Sequence, residues 1–85
     1  MLPFVAVLAL AACGGTKSPA QRLADCLNAR SFLVQANGGR VDGSSPGGIN
    51  FTVSVGGRID DSGNPGARRL SKPARAEIRM CLRSA

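Results

Sequence analysis

Cys26 and Cys81 each fall within an apolar stripe at helical spacing, and this pair limits the fold more than any other feature of the sequence. In the first segment Leu23, Cys26, Leu27 and the stem of Arg30 recur at i, i+3, i+4 and i+7. In the second, Ala74, Ile78, Cys81, Leu82 and Ala85 recur at i, i+4, i+7, i+8 and i+11. Both stripes follow a start signal. Ser18 is placed to cap with Pro19 at the first helical position and Gln21 as the reciprocal half of a capping box, which predicts a helix ending near Arg30. Ser71 is the corresponding cap for the second helix. If both helices cover one side of a small sheet, their cysteines converge. A disulfide there closes a loop of well over half the chain, a constraint of about 4 kcal/mol in the chain-entropy account. For a domain with few large apolar residues, that is comparable to its whole expected stability. Two separate buried thiols, acting as small hydrophobes, are the alternative.

Between the helices the period changes from helical to two. Ile49, Phe51, Val53 and Val55 alternate with Asn50, Thr52 and Ser54, the pattern of a strand with one buried face. Phe32-Leu33-Val34-Gln35-Ala36 is a second β-rich run, stopped by Asn37-Gly38-Gly39. Arg40 to Gly48 reads mainly as loop, with Arg40-Val41-Asp42 as a candidate short strand. Gly56 to Gly66 also reads as loop, with Arg58-Ile59 as a candidate hairpin extension. The fold class predicted is α+β: a small two-layer domain over residues 18–85 in the order helix, strand, strand, helix. Its antiparallel hairpin carries both helices on the face of Ile49, Phe51, Val53 and Val55, stapled by Cys26–Cys81. The Asn50, Thr52 and Ser54 face is left to water or to a partner.

The segment before this domain has another character. Met1 to Ala12 is apolar apart from Pro3, and every charged side chain lies after Cys13. The run is too short for a bilayer-spanning helix, which needs roughly 20 residues. It fits the apolar region of a secretory signal peptide. Leu10-Ala11-Ala12-Cys13 resembles the lipobox of bacterial lipoproteins. That resemblance implies cleavage of residues 1–12 before Cys13 and a lipid carrying fatty acyl chains on the Cys13 thiol. It also implies a location on the extracytoplasmic face of a bacterial cell membrane. Residues 13–17 then form a flexible tether, so Ser18 stands at most about 17 Å from the lipidated residue. Export also supplies the oxidising compartment a disulfide needs.

Charge and composition exclude several function classes. The chain has no His, which removes Ser-His, Cys-His and His-ligated metal chemistry. The acids are Asp25, Asp42, Asp60, Asp61 and Glu77, and no spacing sets two of them on one wall of a cleft. Cys26 and Cys81 are not a C-x-x-C redox pair. Asp60-Asp61-Ser62-Gly63-Asn64-Pro65-Gly66 has alternating oxygen side chains, but Pro65 and Ser71 stand where an EF-hand loop wants Gly and Glu. Gly43-Ser44-Ser45-Pro46-Gly47-Gly48 has the small residues of a phosphate cradle without its lysine. Asn50-Phe51-Thr52 matches a glycosylation sequon by chance. No catalytic residue, metal or cofactor is expected.

The net charge is +6, and six of the 11 basic residues fall between Arg68 and Arg83. Lys72, Arg75, Arg79 and Arg83 share one flank of the second helix, with Arg68 and Arg69 just before it. These six are candidates for anionic lipid headgroups or a cell-surface polymer. The competing reading is a solvated helix face whose late arginines complement the helix dipole. Nucleic acid is not expected, because the only aromatics after Cys13 are Phe32 and Phe51, which read as core. The segment Gly57-Arg58-Ile59, followed by Ser62-Gly63-Asn64-Pro65 and a helix, resembles the carboxyl-terminal domains of TonB and TolA. That resemblance implies a protein-binding envelope module with no catalytic residues. The function expected is therefore a non-catalytic lipoprotein that binds an unidentified protein partner, with binding of anionic lipid or polymer as the alternative.

Overall fold

The computed structural model describes residues 17–85. The chain runs α1 (Pro19–Asn28), β1 (Leu33–Asn37), β2 (Arg40–Ser44), β3 (Asn50–Ser54), β4 (Ile59–Asp60), a short 3-10 turn (Pro65–Ala67) and α2 (Lys72–Ser84). The architecture is α+β as expected, and Cys26 and Cys81 are joined in a disulfide with their Cα atoms 5.7 Å apart.

Both helices start where their caps predict. The Ser18 and Ser71 hydroxyls accept from the Gln21 and Ala74 N–H groups at 3.1 and 3.2 Å. The reciprocal half of the first capping box is not made, because the Gln21 amide turns along the helix to donate to Asp25 at 2.9 Å. Helix α1 stops at Asn28 and leaves through a Schellman turn rather than running to Arg30. Phe32 N–H donates to Leu27 C=O at 3.1 Å and Ser31 N–H to Asn28 C=O at 3.3 Å. Ser31 takes the left-handed conformation, φ +71°, that this turn demands. The turn drives Phe32 into the core ahead of β1, where its ring meets Phe51 edge-on with centroids 5.8 Å apart.

The sheet is larger than the hairpin expected. Four antiparallel strands lie in the order β1-β2-β3-β4, and Arg40–Ser44, read mainly as loop, is a central strand. Its one buried apolar side chain is Val41, flanked by Asp, Gly and Ser, so composition gives little sign of a strand. Pairing on both sides decides it: Val41 stands between Ala36 and Val53, and Gly43 between Val34 and Phe51. A Cβ at Gly43 would overlap the Leu33 carbonyl oxygen and lie 2.6 Å from Val34 Cα, so close approach of β1 requires glycine there. Gly38, φ +67°, makes the two-residue β1–β2 turn.

One layer of the domain is α1 and α2, and their buried residues form a single cluster with Phe32, Val41, Ile49, Phe51 and Val53. Val55 does not extend that face, contrary to the alternation. It lies beyond β3 in the turn and is 42% exposed. Asn28 at the end of α1 bonds the start of β1, and the start of α2 lies beside Ser45 and Ile49 at the β2–β3 turn. The end of α1 and the start of α2 therefore share one end of the sheet, and the helices run antiparallel. Cys26–Cys81 and Arg30–Glu77 set residues 77–81 of α2 beside the end of α1, while Lys17, before the start of α1, belongs to the opposite end.

Candidate functional site

Asp61 organises the segment between the sheet and α2. Its side chain is 4% exposed, yet it carries a charge. It accepts from the Leu70 N–H at 2.9 Å, from Arg75 at 2.8 Å and from Arg69 at 3.4 Å. The Leu70 N–H, then Arg75 and Arg69, hold the carboxyl below the usual carboxylate range, against the opposing effect of burial. Beside it, the buried Asn64 amide donates to the Asp61 carbonyl at 2.9 Å and pairs with both backbone groups of Asn50. The loop read as turn-rich is thus an ordered clasp. Its sequence signal was present in Asp61-x-x-Asn64, whose side chains accept and donate in turns, but partners so distant as Leu70 and Arg75 cannot be read from local spacing.

This clasp divides the six basic candidates. Arg75 and Arg69 fold onto Asp61, and Arg68 donates weakly to the Gly47 carbonyl at 3.4 Å. Lys72, Arg79 and Arg83 are exposed and have no ion-pair partner among the described residues. With Ala76 and Met80, the latter 41% exposed, they make up the outward face of α2. The structure therefore brings together Arg68, Arg69 and Arg75 around the Asp61 segment, and leaves the other three along the helix.

Two surfaces are assembled from residues distant in the chain. The first is a groove of about 530 Å³ between the β2–β3 turn and the start of α2, floored by Ile49 and Ala74 and bordered by Arg68 and Arg69. No reading of the sequence anticipated it, because its two walls are some twenty-five residues apart in the chain. The second is the outer face of the sheet, where Gln35, Arg40, Asp42, Thr52, Ser54 and Asp60 make a polar plane. Arg40 and Asp42 pair across it at 3.5 Å, and Leu33, 77% exposed, is its apolar corner.

Among the described residues there is no group of three or more His, Cys, Asp or Glu side chains placed to hold a metal ion. No helix among them is long and apolar enough to cross a membrane. Cys13, the candidate lipidation site, and the rest of residues 1–16 lie outside the described residues. Comparison of the chain with protein-family models, with curated proteins and with solved structures returned no match.

Proposed function

We propose that the protein is a non-catalytic, membrane-tethered interaction module of the bacterial cell envelope. The reading rests on one observation: the chain's cysteines divide into a bonded pair and Cys13. Cys26 and Cys81 are joined to each other, so Cys13, directly after Leu10-Ala11-Ala12, has no intramolecular partner left to take. An acylated Cys13 accounts for it, and the disulfide fits the oxidising side of the membrane to which such a signal leads. The resemblance of the Gly57–Pro65 segment to TonB and TolA carboxyl-terminal domains points the same way, toward protein binding. Mass spectrometry of the protein extracted from membranes tests the anchor. A chain beginning at Cys13 with two or three acyl groups is expected; an intact Met1 or a free Cys13 thiol overturns the reading.

The second reading, an anionic-surface binder, is favoured by the exposure of Lys72, Arg79 and Arg83 in one stripe. A basic patch on a tethered domain adds an electrostatic signal to a lipid anchor. Under this reading the protein binds phosphatidylglycerol vesicles with a steep salt dependence, and Arg79→Glu with Arg83→Glu abolishes that binding. Vesicle binding unaltered by that pair removes the stripe from consideration.

A further inference from the structure

The groove between the β2–β3 turn and the start of α2 serves neither the disulfide nor the Asp61 clasp. Its floor is apolar, from Ile49 and Ala74, and the rings of Pro46 and Pro73 stiffen its two walls. Rigid walls of this kind lose little conformational freedom when a ligand is held between them. Its charge is unbalanced. The carboxylate on its wall, Glu77, is bonded by Arg30 at 3.3 Å. Asp61 has Arg75 at 2.8 Å, so its contact with Arg69 is the longer one at 3.4 Å, and the Arg69 side chain remains 60% exposed. Arg68 has only the Gly47 carbonyl, also at 3.4 Å. Two loosely engaged guanidinium groups therefore border one apolar trough, in a geometry suited to bidentate carboxylate recognition.

We propose that this groove docks an extended segment of a partner protein in which an apolar side chain is flanked by carboxylates. The apolar side chain covers Ile49 and Ala74, and the carboxylates bridge to Arg68 and Arg69. The biological setting rests on the tethered-module reading. The groove opens at the end of the domain opposite Lys17, beside the Arg30–Glu77 pair. An apolar floor between two guanidinium groups suits an apolar side chain flanked by carboxylates, which a peptide supplies and a lipid headgroup phosphate does not.

A random peptide library displayed on phage, panned against the full chain in zwitterionic nanodiscs, tests this directly. The expected enrichment is peptides with Asp or Glu on both sides of one large apolar residue. An enriched peptide should shift the amide resonances of Gly47, Ile49, Arg69 and Ala74 in the labelled protein. Arg68→Glu should weaken its binding by roughly tenfold or more, as removal of a complementary charge at an interface does. Arg69→Gln gives a second variant that adds no negative charge beside Asp61, and Arg58→Glu, exposed in the β3–β4 turn at the other end of the sheet, should leave binding unchanged. No enrichment, enrichment of basic or neutral peptides, or indifference to Arg68→Glu overturns the proposal. So does displacement of the peptide by phosphatidylglycerol vesicles with the same groove shifts, which would make the groove a headgroup site. The mass of the same sample reads the anchor separately: groove binding by an unacylated chain sinks the tether alone, and an acylated chain with an empty groove sinks this proposal alone.

Discussion

The Asn64 side-chain amide pairs with the backbone of Asn50 as a strand residue would, accepting from its N–H and donating to its C=O, both at 2.8 Å. Strand β4 has only two residues, so it covers β3 at Thr52 and Val53 and leaves Asn50 without a strand neighbour on that side, its other neighbour being Ser44 of β2. Asn64 completes the pairing. At the other edge of the sheet Asn28 does the same for Val34, at 3.0 Å to the N–H and 3.1 Å to the C=O. Each edge is thus closed at one residue by a primary amide from a neighbouring element, which blunts it against pairing with another chain.

These two amides should differ in energy. Asn64 is 7% exposed, so Asn64→Ala strands the buried Asp61 carbonyl and the part-buried groups of Asn50 and should cost about 1–3 kcal/mol, whereas Asn28 is exposed and its replacement by Ala should cost about 1 kcal/mol or less. Urea titrations of the two variants measure this ranking. Equal losses would mean that the edge bond, and not burial, sets the energy.

Asp61 should give the protein an acid limit. Its carboxyl is held below its ordinary value first by the Leu70 N–H and then by Arg75 and Arg69. A carboxylate with a lowered folded pKa contributes fully above its unfolded value of about 3.9, and the contribution is lost as pH falls through the lower folded value. Melting temperature should therefore drop as pH falls from about 5. Asp61→Asn should lower the melting temperature at neutral pH and flatten that acid slope. Asp25 and Asp60, lowered by Lys17 and by Ser62 respectively, lie at the surface and supply a background that Asp25→Asn and Asp60→Asn measure. An unchanged slope in Asp61→Asn would move the acid limit to that pair.

Ser31 occupies a position that suits glycine. At φ +71°, in the left-handed residue of the Schellman turn, its Cβ meets the following carbonyl. Ser31→Gly should raise stability by up to about 1 kcal/mol, with the greater freedom of glycine in the unfolded chain taking back part of the gain. Chemical denaturation reads it. A loss of stability would show that the serine hydroxyl holds the turn in a way the backbone does not reveal.

The disulfide links residues 55 apart in sequence and joins the end of α1 to the second half of α2. Its loss through Cys26→Ala with Cys81→Ala should cost about 2–5 kcal/mol, comparable to the net stability of so small a domain. The double variant should lose its dispersed amide spectrum at temperatures where the oxidised protein keeps it. Non-reducing peptide mapping should recover Cys26 joined to Cys81, and two alkylatable thiols in the native protein would contradict the pairing.

How much of this was legible in the chain follows from the range of each interaction. The helices could be read because caps and apolar stripes are local: Ser18, Ser71 and the two cysteines declare themselves within a few residues. Strand β3 could be read from Phe51 and Val53 for the same reason, whereas Val55 continued the alternation past the end of the strand. Strand β2 could not, since Arg40-Val41-Asp42-Gly43-Ser44 has a weak intrinsic preference and becomes a strand only between two others. The six basic residues were visible as a cluster, but not their division by Asp61, whose partners arrive nine and fourteen positions later.

Helical period and capping act at fixed offsets along the chain, so the two helices and the α+β class were legible in the residues, whereas the Cys26–Cys81 bond, across 55 residues, depended on both helices covering one side of the sheet. Which polar residues are structural and which face outward emerges in the folded domain. Asp61, Asn64 and Asn28 look like loop and surface residues until distant backbone groups need partners. Arg68 and Arg69 look like two more surface cations until the β2–β3 turn brings Ile49 beside them. Burial makes the difference, because a polar group removed from water must find its bonds wherever the fold supplies them.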